Sequence, residues 1–180
     1  MSESTASSRI GRSIELARSY LTAHPGEARH TDSAASAMVE DGLRCRVEGP
    51  DGAVLYTDVP AGIGGASTAP TPGWYARAAH SSCEATLINM RAAELGIPLR
   101  RVEVVEDGES DDRGILALDD QMPAGPLRSR TRVRVTAPGI DPQLLRDLVE
   151  WADRHSPVSD AVRRAVPMTI EVETVEMELS

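Results

Sequence analysis

Apolar residues recur along this chain in two rhythms, and the switches between them mark its elements. Over residues 7–24, Ile10, Ile14, Leu16, Ala17 and Leu21 fall near a helical period, and His24-Pro25-Gly26 closes the run. This predicts an amphipathic helix and a linker, an appendage over residues 1–33 with no chemistry of its own. Residues 34–58 change to a period of two. Leu43, Cys45 and Val47 share one face of a strand, Arg44 and Arg46 share the other, and Val54 and Tyr56 continue the pattern on the next strand. Glu40-Asp41-Gly42 and Pro50-Asp51-Gly52 are turn signals, so this segment reads as an antiparallel meander.

A loop rich in Gly, Ser, Thr and Pro follows at 62–72, and a long helix then runs from Pro72 to about Leu95, stopped by Gly96 with Pro98 beyond. Ala76, Ala78, Ala79, Cys83, Ala85, Leu87, Ile88, Met90, Ala92 and Ala93 cover most of its circumference. Small and apolar residues all round predict burial on several sides. Residues 99–106 read as a strand, 107–113 as an acidic turn, and 115–118 and 131–136 as further strands. Asp141-Pro142 opens a helix bearing Leu144, Leu145, Leu148, Val149 and Ala152, and Ser156-Pro157 opens a short one to about Arg164. A last strand spans 168–179, its alternation slipping phase at Thr174, as at a bulge. The class is α+β, with antiparallel sheet around a long central helix in a domain over residues 34–180. One small sheet cannot cover every side of that helix, so a second copy of the chain is expected to complete the cover.

Composition narrows the function. Phe is absent and aromatics are 3% of 180 residues, so the core falls to Val, Leu, Ile, Ala and Met. A formal net charge of −9 opposes nucleic acid as a partner, and equally a polybasic contact with a membrane. Residues 1–8 lack the apolar core of a signal peptide, and no run reaches the roughly 18 apolar residues of a spanning helix. A reducing cytoplasm is the expected location. Cys45 and Cys83 are the two cysteines, without C-x-x-C spacing, and the four histidines are scattered. No metal site or cofactor is expected from these residues, which leaves a single reactive thiol as the open chemistry.

Gly64-Gly65, Pro70-Thr71-Pro72, Ala78-Ala79 with Cys83, Gly96-Ile97-Pro98-Leu99 and Val102-Glu103-Val104 together resemble the central region of OsmC-like proteins, the family of osmotically inducible protein C and the organic hydroperoxide resistance proteins. Residues 144–162, with Ser156-Pro157-Val158, are similar to the family's segment around its second cysteine. The resemblance covers about residues 34–175. It implies an intertwined homodimer, with two central helices packed together and each wrapped by sheet. It also implies a chemistry. A cysteine thiolate attacks the O–O bond of an organic hydroperoxide and becomes a sulfenic acid; a second cysteine condenses with it, and an external thiol reduces the disulfide.

On this resemblance Cys83 matches the attacking cysteine; read from the sequence alone it is also a small residue of a buried helix. Ser156 stands where the second cysteine would be, and reads as the cap of the helix it precedes. Gly73 replaces the glutamate that the hydroperoxide branch uses to hold an arginine. Arg44 or Arg46 corresponds to that arginine, or both are solvated edge charges. His80, three residues before Cys83, lies on the same helix face and is either an activating partner or a core histidine bonded to a carbonyl. Cys45 is a substitute resolving thiol if its strand packs on the central helix. Trp74 and Tyr75 line an apolar pocket or cap the core. Two functions follow: a one-cysteine hydroperoxide reductase drawing on an external thiol, or a non-catalytic dimer that holds a small apolar ligand.

Overall fold

The computed structural model describes residues 3–174. Its elements run α1 (Glu3–Ala23), β1 (Ser36–Asp41), β2 (Arg44–Glu48), β3 (Val54–Thr57), α2 (Pro72–Glu94), β4 (Arg101–Glu109), α3 (Asp112–Ile115), β5 (Arg128–Thr136), α4 (Pro142–His155) and α5 (Pro157–Arg163). The class is α+β, and both sheets are antiparallel: β1-β2-β3 and β4-β5.

Helix α2 is fixed at both ends by local chemistry. The Thr71 hydroxyl accepts the Trp74 N–H at 3.1 Å, and Pro72 occupies the first turn, where its missing N–H costs nothing. At the far end Gly96 turns left-handed at φ +65°, so that its N–H reaches Ala93 O and the Ile97 N–H reaches Ala92 O. Ile97 then folds back onto the core. Four residues of α2 are buried, His80, Glu84, Ile88 and Ala92, each one turn from the next. The apolar half of that stripe meets Leu148 and Ala152 of α4, with Val102, Val104, Val133 and Val135 of the β4–β5 sheet packed around them. The polar half, His80 and Glu84, lies toward α5 and is the unusual part. Burial on several sides is not realised within one chain, since Ala76, Ala79, Ser82, Thr86 and Asn89 form an exposed stripe.

Helix α1 packs along α2. Gly11 makes the approach close: a Cβ there would lie 2.9 Å from Ala93 O. Arg18 pairs with Glu94 at 2.5 Å. Among the described residues, by contrast, no other element packs substantially against the β1–β3 sheet.

Three sequence expectations are corrected. Strand β4 runs on through the predicted acidic turn to Glu109, because Asp107 pairs across the sheet with Arg130 and Arg132, and Glu109 with Arg128. Residues 115–118 are no strand. The Asp111 carboxylate accepts the Arg113 N–H at 3.0 Å and starts the short helix α3, and Ala117 leaves it in a left-handed turn. Residues 168–174 form no strand either: Met168, Ile170 and Val172 alternate as predicted but are 84, 80 and 78% exposed, with no strand alongside to pair them. The remainder of that predicted strand, residues 175–179, lies outside the described residues. Methionine contributes nothing to the buried core among the described residues.

Candidate functional site

Cys83 lies three turns into α2, partly buried, between the mouth of the helix and its apolar half. At that depth the helix dipole contributes little, so the neighbouring side chains define its surroundings. The neighbour is Ser156. This residue ends α4 and caps α5, and it is fully buried. Its hydroxyl oxygen accepts the Ser159 N–H at 3.2 Å, and its proton is donated to Cys83 Sγ, also at 3.2 Å. Ser156 is thus the helix cap that the sequence predicts, and it lies directly against the sulfur.

His80 shares the face of Cys83 but is not hydrogen-bonded to it. It is a core histidine held by side chains rather than by a carbonyl. Nε2 lies 2.8 Å from Ser159 Oγ, and Nδ1 lies 3.1 Å from Glu106 Oε1 on β4. Ser159 Oγ also donates to Glu84 Oε1, which is 3.9 Å from His80 Nε2. A hydrogen-bonded chain therefore runs from Cys83 through Ser156 and Ser159 to His80 and Glu106, joining α2, α5 and β4. Glu84 and Glu106 are both almost wholly buried, which demands polar or cationic partners nearby. On the outer side Asp153 of α4 accepts from Arg163 Nη2 at 2.7 and 2.8 Å. The ligand atoms of His80, Glu84 and Asp153 lie within 4.8 Å of one another, a spacing that a metal ion can bridge.

The remaining predicted residues lie elsewhere. Arg44 donates to Thr68 Oγ1 at 2.9 Å and stacks 4.3 Å from the centre of the Tyr56 ring; Arg46 pairs with Glu48. Neither guanidinium is bonded to Cys83. Arg44 belongs instead to the loop that leads into α2. There Asp58, buried at the end of β3, accepts from the N–H groups of Val59, Ala66 and Thr68 and from the Thr68 hydroxyl. The Thr68 N–H, then its hydroxyl, hold the Asp58 carboxyl down to about 2. Gly73 sits in the first turn of α2, where an added Cβ would meet only ordinary contacts with Arg77 and Thr71. Trp74 and Tyr75 form an edge-to-face pair, with Trp74 half exposed. Cys45 and Cys83 are both free thiols. Two grooves of about 590 Å³ open between α1, α2 and β4, lined in part by Ile10, Asn89 and Leu99; Cys83 lines neither.

Sequence reasoning did not single out Glu84, Glu106, Ser159, Asp153 or Asp58. One signal was available. Glu84 is a carboxylate at i+4 from His80 on a helix rich in small and apolar residues. Glu106 and Asp153 come from other elements, and only the packing brings them in.

A protein-family model described as OsmC-like protein matches residues 64–171. Solved structures agree in fold. An OsmC-like protein from Mycoplasma pneumoniae superposes with a TM-score of 0.64 at 10% identity, over 75% of this chain and 89% of that one. One from Vibrio cholerae gives 0.61 at 12% identity, over 73% and 94%. An organic hydroperoxide resistance protein from Legionella pneumophila gives 0.56 at 21% identity, over 75% and 91%. Among curated proteins nothing matches. Among the described residues no helix is long and apolar enough to cross a membrane.

Proposed function

Starting from a chain that belongs to the OsmC-like protein family, we propose that it reduces organic hydroperoxides with one cysteine, Cys83, and relies on an external thiol to complete the cycle. The observation that carries this reading is the contact between Ser156 Oγ and Cys83 Sγ. The residue that the resemblance sets in place of the family's second cysteine lies against Cys83, which supports a site with one thiol of the usual two. The Ser156 hydroxyl donates to the sulfur, an arrangement that stabilises a thiolate.

The thiolate attacks the distal oxygen of the hydroperoxide. The S–O bond forms as the O–O bond breaks, and the alkoxide leaves as the alcohol with one proton. Cys83 is oxidised to its sulfenic acid. Ser156 cannot condense with it, and within one chain Cys45 lies on the separate β1–β3 sheet. A small thiol therefore attacks, water departs, and a second thiol releases Cys83 from the mixed disulfide. A homodimer completes the site in this reading. The β1–β3 sheet has little packed on it within its own chain and carries Arg44 and Arg46. In an intertwined pair the apolar face of that sheet would lie on the other subunit's central helix, with the arginines on the face opposite.

The absence of a second thiol opposite Cys83 also favours the other reading, a non-catalytic dimer holding a small apolar ligand. Incubating the protein with cumene hydroperoxide and a dithiol separates the two. Wild type is expected to consume peroxide and Cys83→Ser to fall to the uncatalysed rate, with wild-type Cys83 gaining one oxygen by mass spectrometry when the dithiol is omitted. Equal consumption by the two proteins would remove the enzymatic reading.

A further inference from the structure

His80 and Glu84 stand one turn apart on α2 and project from the same face. Asp153 rises beside them from α4, and the three donor atoms lie within 4.8 Å of one another. Two independent features point to a cation at their centre.

The first is charge. Glu84 and Glu106 are buried on either side of one imidazole, and Asp153 adds a third carboxylate. Arg163, bonded to Asp153 on the outer side, is the guanidinium at this cluster. Buried carboxylates in excess of their cations are costly, and a divalent ion between them removes the imbalance. The second is the setting of the histidine. Nδ1 faces the Glu106 carboxylate at 3.1 Å, so Nε2 is the ring nitrogen turned toward Glu84 and Ser159, and ligation there replaces its contact with Ser159 and releases any proton it carries. A ligating histidine commonly has such a carboxylate behind it, because that partner fixes the tautomer and makes the ring a better donor.

The geometry points to a divalent metal site in which His80 Nε2 and carboxylate oxygens of Glu84 and Asp153 hold one first-row transition ion. Mixed nitrogen and oxygen donors suit Mn2+, Fe2+, Co2+ or Zn2+, and the imidazole argues against Ca2+. The Ser159 hydroxyl lies between His80 and Glu84, where it turns aside or becomes a fourth ligand. Asp153 keeps 39% of its side chain exposed and gives the ion its way in. Each of its oxygens accepts from Arg163 and retains a lone pair for the metal. Glu84 follows Cys83 in sequence, so the ion would sit beside the thiol without using it. The site does not depend on the hydroperoxide reading, and it departs from the metal-free expectation drawn from the sequence.

The full chain, stripped with EDTA, is titrated with Co2+ and with Mn2+ by calorimetry and absorbance. One ion per chain is expected, with cobalt ligand-field bands and no thiolate charge-transfer band. Glu106→Gln should weaken binding by about 10–100-fold. Asp153→Asn should weaken it by at least about tenfold, by loss of a ligand. Substoichiometric Mn2+ is expected to broaden the ring resonances of His80 before those of His24, His30 and His155 in the wild type, a readout that needs no variant to fold. No binding, binding unchanged in Asp153→Asn, a thiolate band that vanishes in Cys83→Ser, or first broadening at another histidine would each overturn the site.

Discussion

Ser156 divides one hydroxyl between two partners, and the division shows what a thiol in its place would change. Its oxygen accepts the N–H that starts α5, and its proton goes to the Cys83 sulfur. Sulfur is the weaker acceptor, so Ser156→Cys should lose part of the cap, at a cost of about 0.5–2 kcal/mol. In exchange it sets a second sulfur against the first. Air-oxidised Ser156→Cys is expected to titrate one free thiol per denatured chain, that of Cys45, and three after reduction, where wild type titrates two. Three free thiols after oxidation would show that the Ser156 contact does not reproduce the geometry of a disulfide pair. Both halves of this contact were legible as residues: the cysteine from its setting on the long helix, the serine from the Ser156-Pro157 start signal. Their meeting was legible only through the resemblance, since no local pattern relates positions 73 residues apart.

At the scale of elements, the loop from β3 into α2 is held by one buried carboxylate. Asp58 gathers three backbone N–H groups and the Thr68 hydroxyl, and Arg44 donates to the same Thr68. Its carboxyl is lowered to about 2 from an ordinary 3.8. A depressed folded value means that the carboxylate stabilises the fold in full above the unfolded value, and that the contribution is lost as pH falls through the folded one. Asp58→Asn does not titrate. The stability gap between wild type and this variant should therefore be constant near neutrality and close as pH falls from about 4 toward 2, measured by denaturant melts. A gap that ignores pH over that window would mean that another group carries the loop. The loop itself was evident from its Gly, Ser, Thr and Pro content, and the ends of α2 from Pro72 and Gly96. Asp58 escaped notice because at the end of a strand it resembles any turn carboxylate. Residues 115–118 are a continuous apolar run taken over by the Asp111 cap, whereas 168–174 fail as a strand for another reason. Alternation reports a face that suits a sheet, but pairing needs a free edge, and that is settled by other parts of the molecule.

At the scale of the molecule, the β1–β3 sheet is the element left unexplained by its own chain. Its register places Ala37, Val39, Cys45, Val47 and Leu55 on one face, while Met38, Arg46, Glu48, Val54 and Tyr56 share the other. The first face is apolar but for the buried Thr57 at the end of β3, yet among the described residues no other element packs substantially on it. A small three-stranded sheet needs such a cover to be stable, and exposed apolar patches of this kind mark contacts between molecules. The small-residue stripe on α2 is bare as well. A second copy would supply both needs at once, with the sheet of one chain over the helix of the other. Light scattering behind gel filtration should then give twice the chain mass. Val39→Lys, which sets a charge on the apolar face, should shift it toward one, while Met38→Lys on the opposite face should leave it unchanged. If hydroperoxide turnover depends on the dimer, it should fall with Val39→Lys in step with it. A wild type of single-chain mass at micromolar concentration would leave both surfaces without their partner.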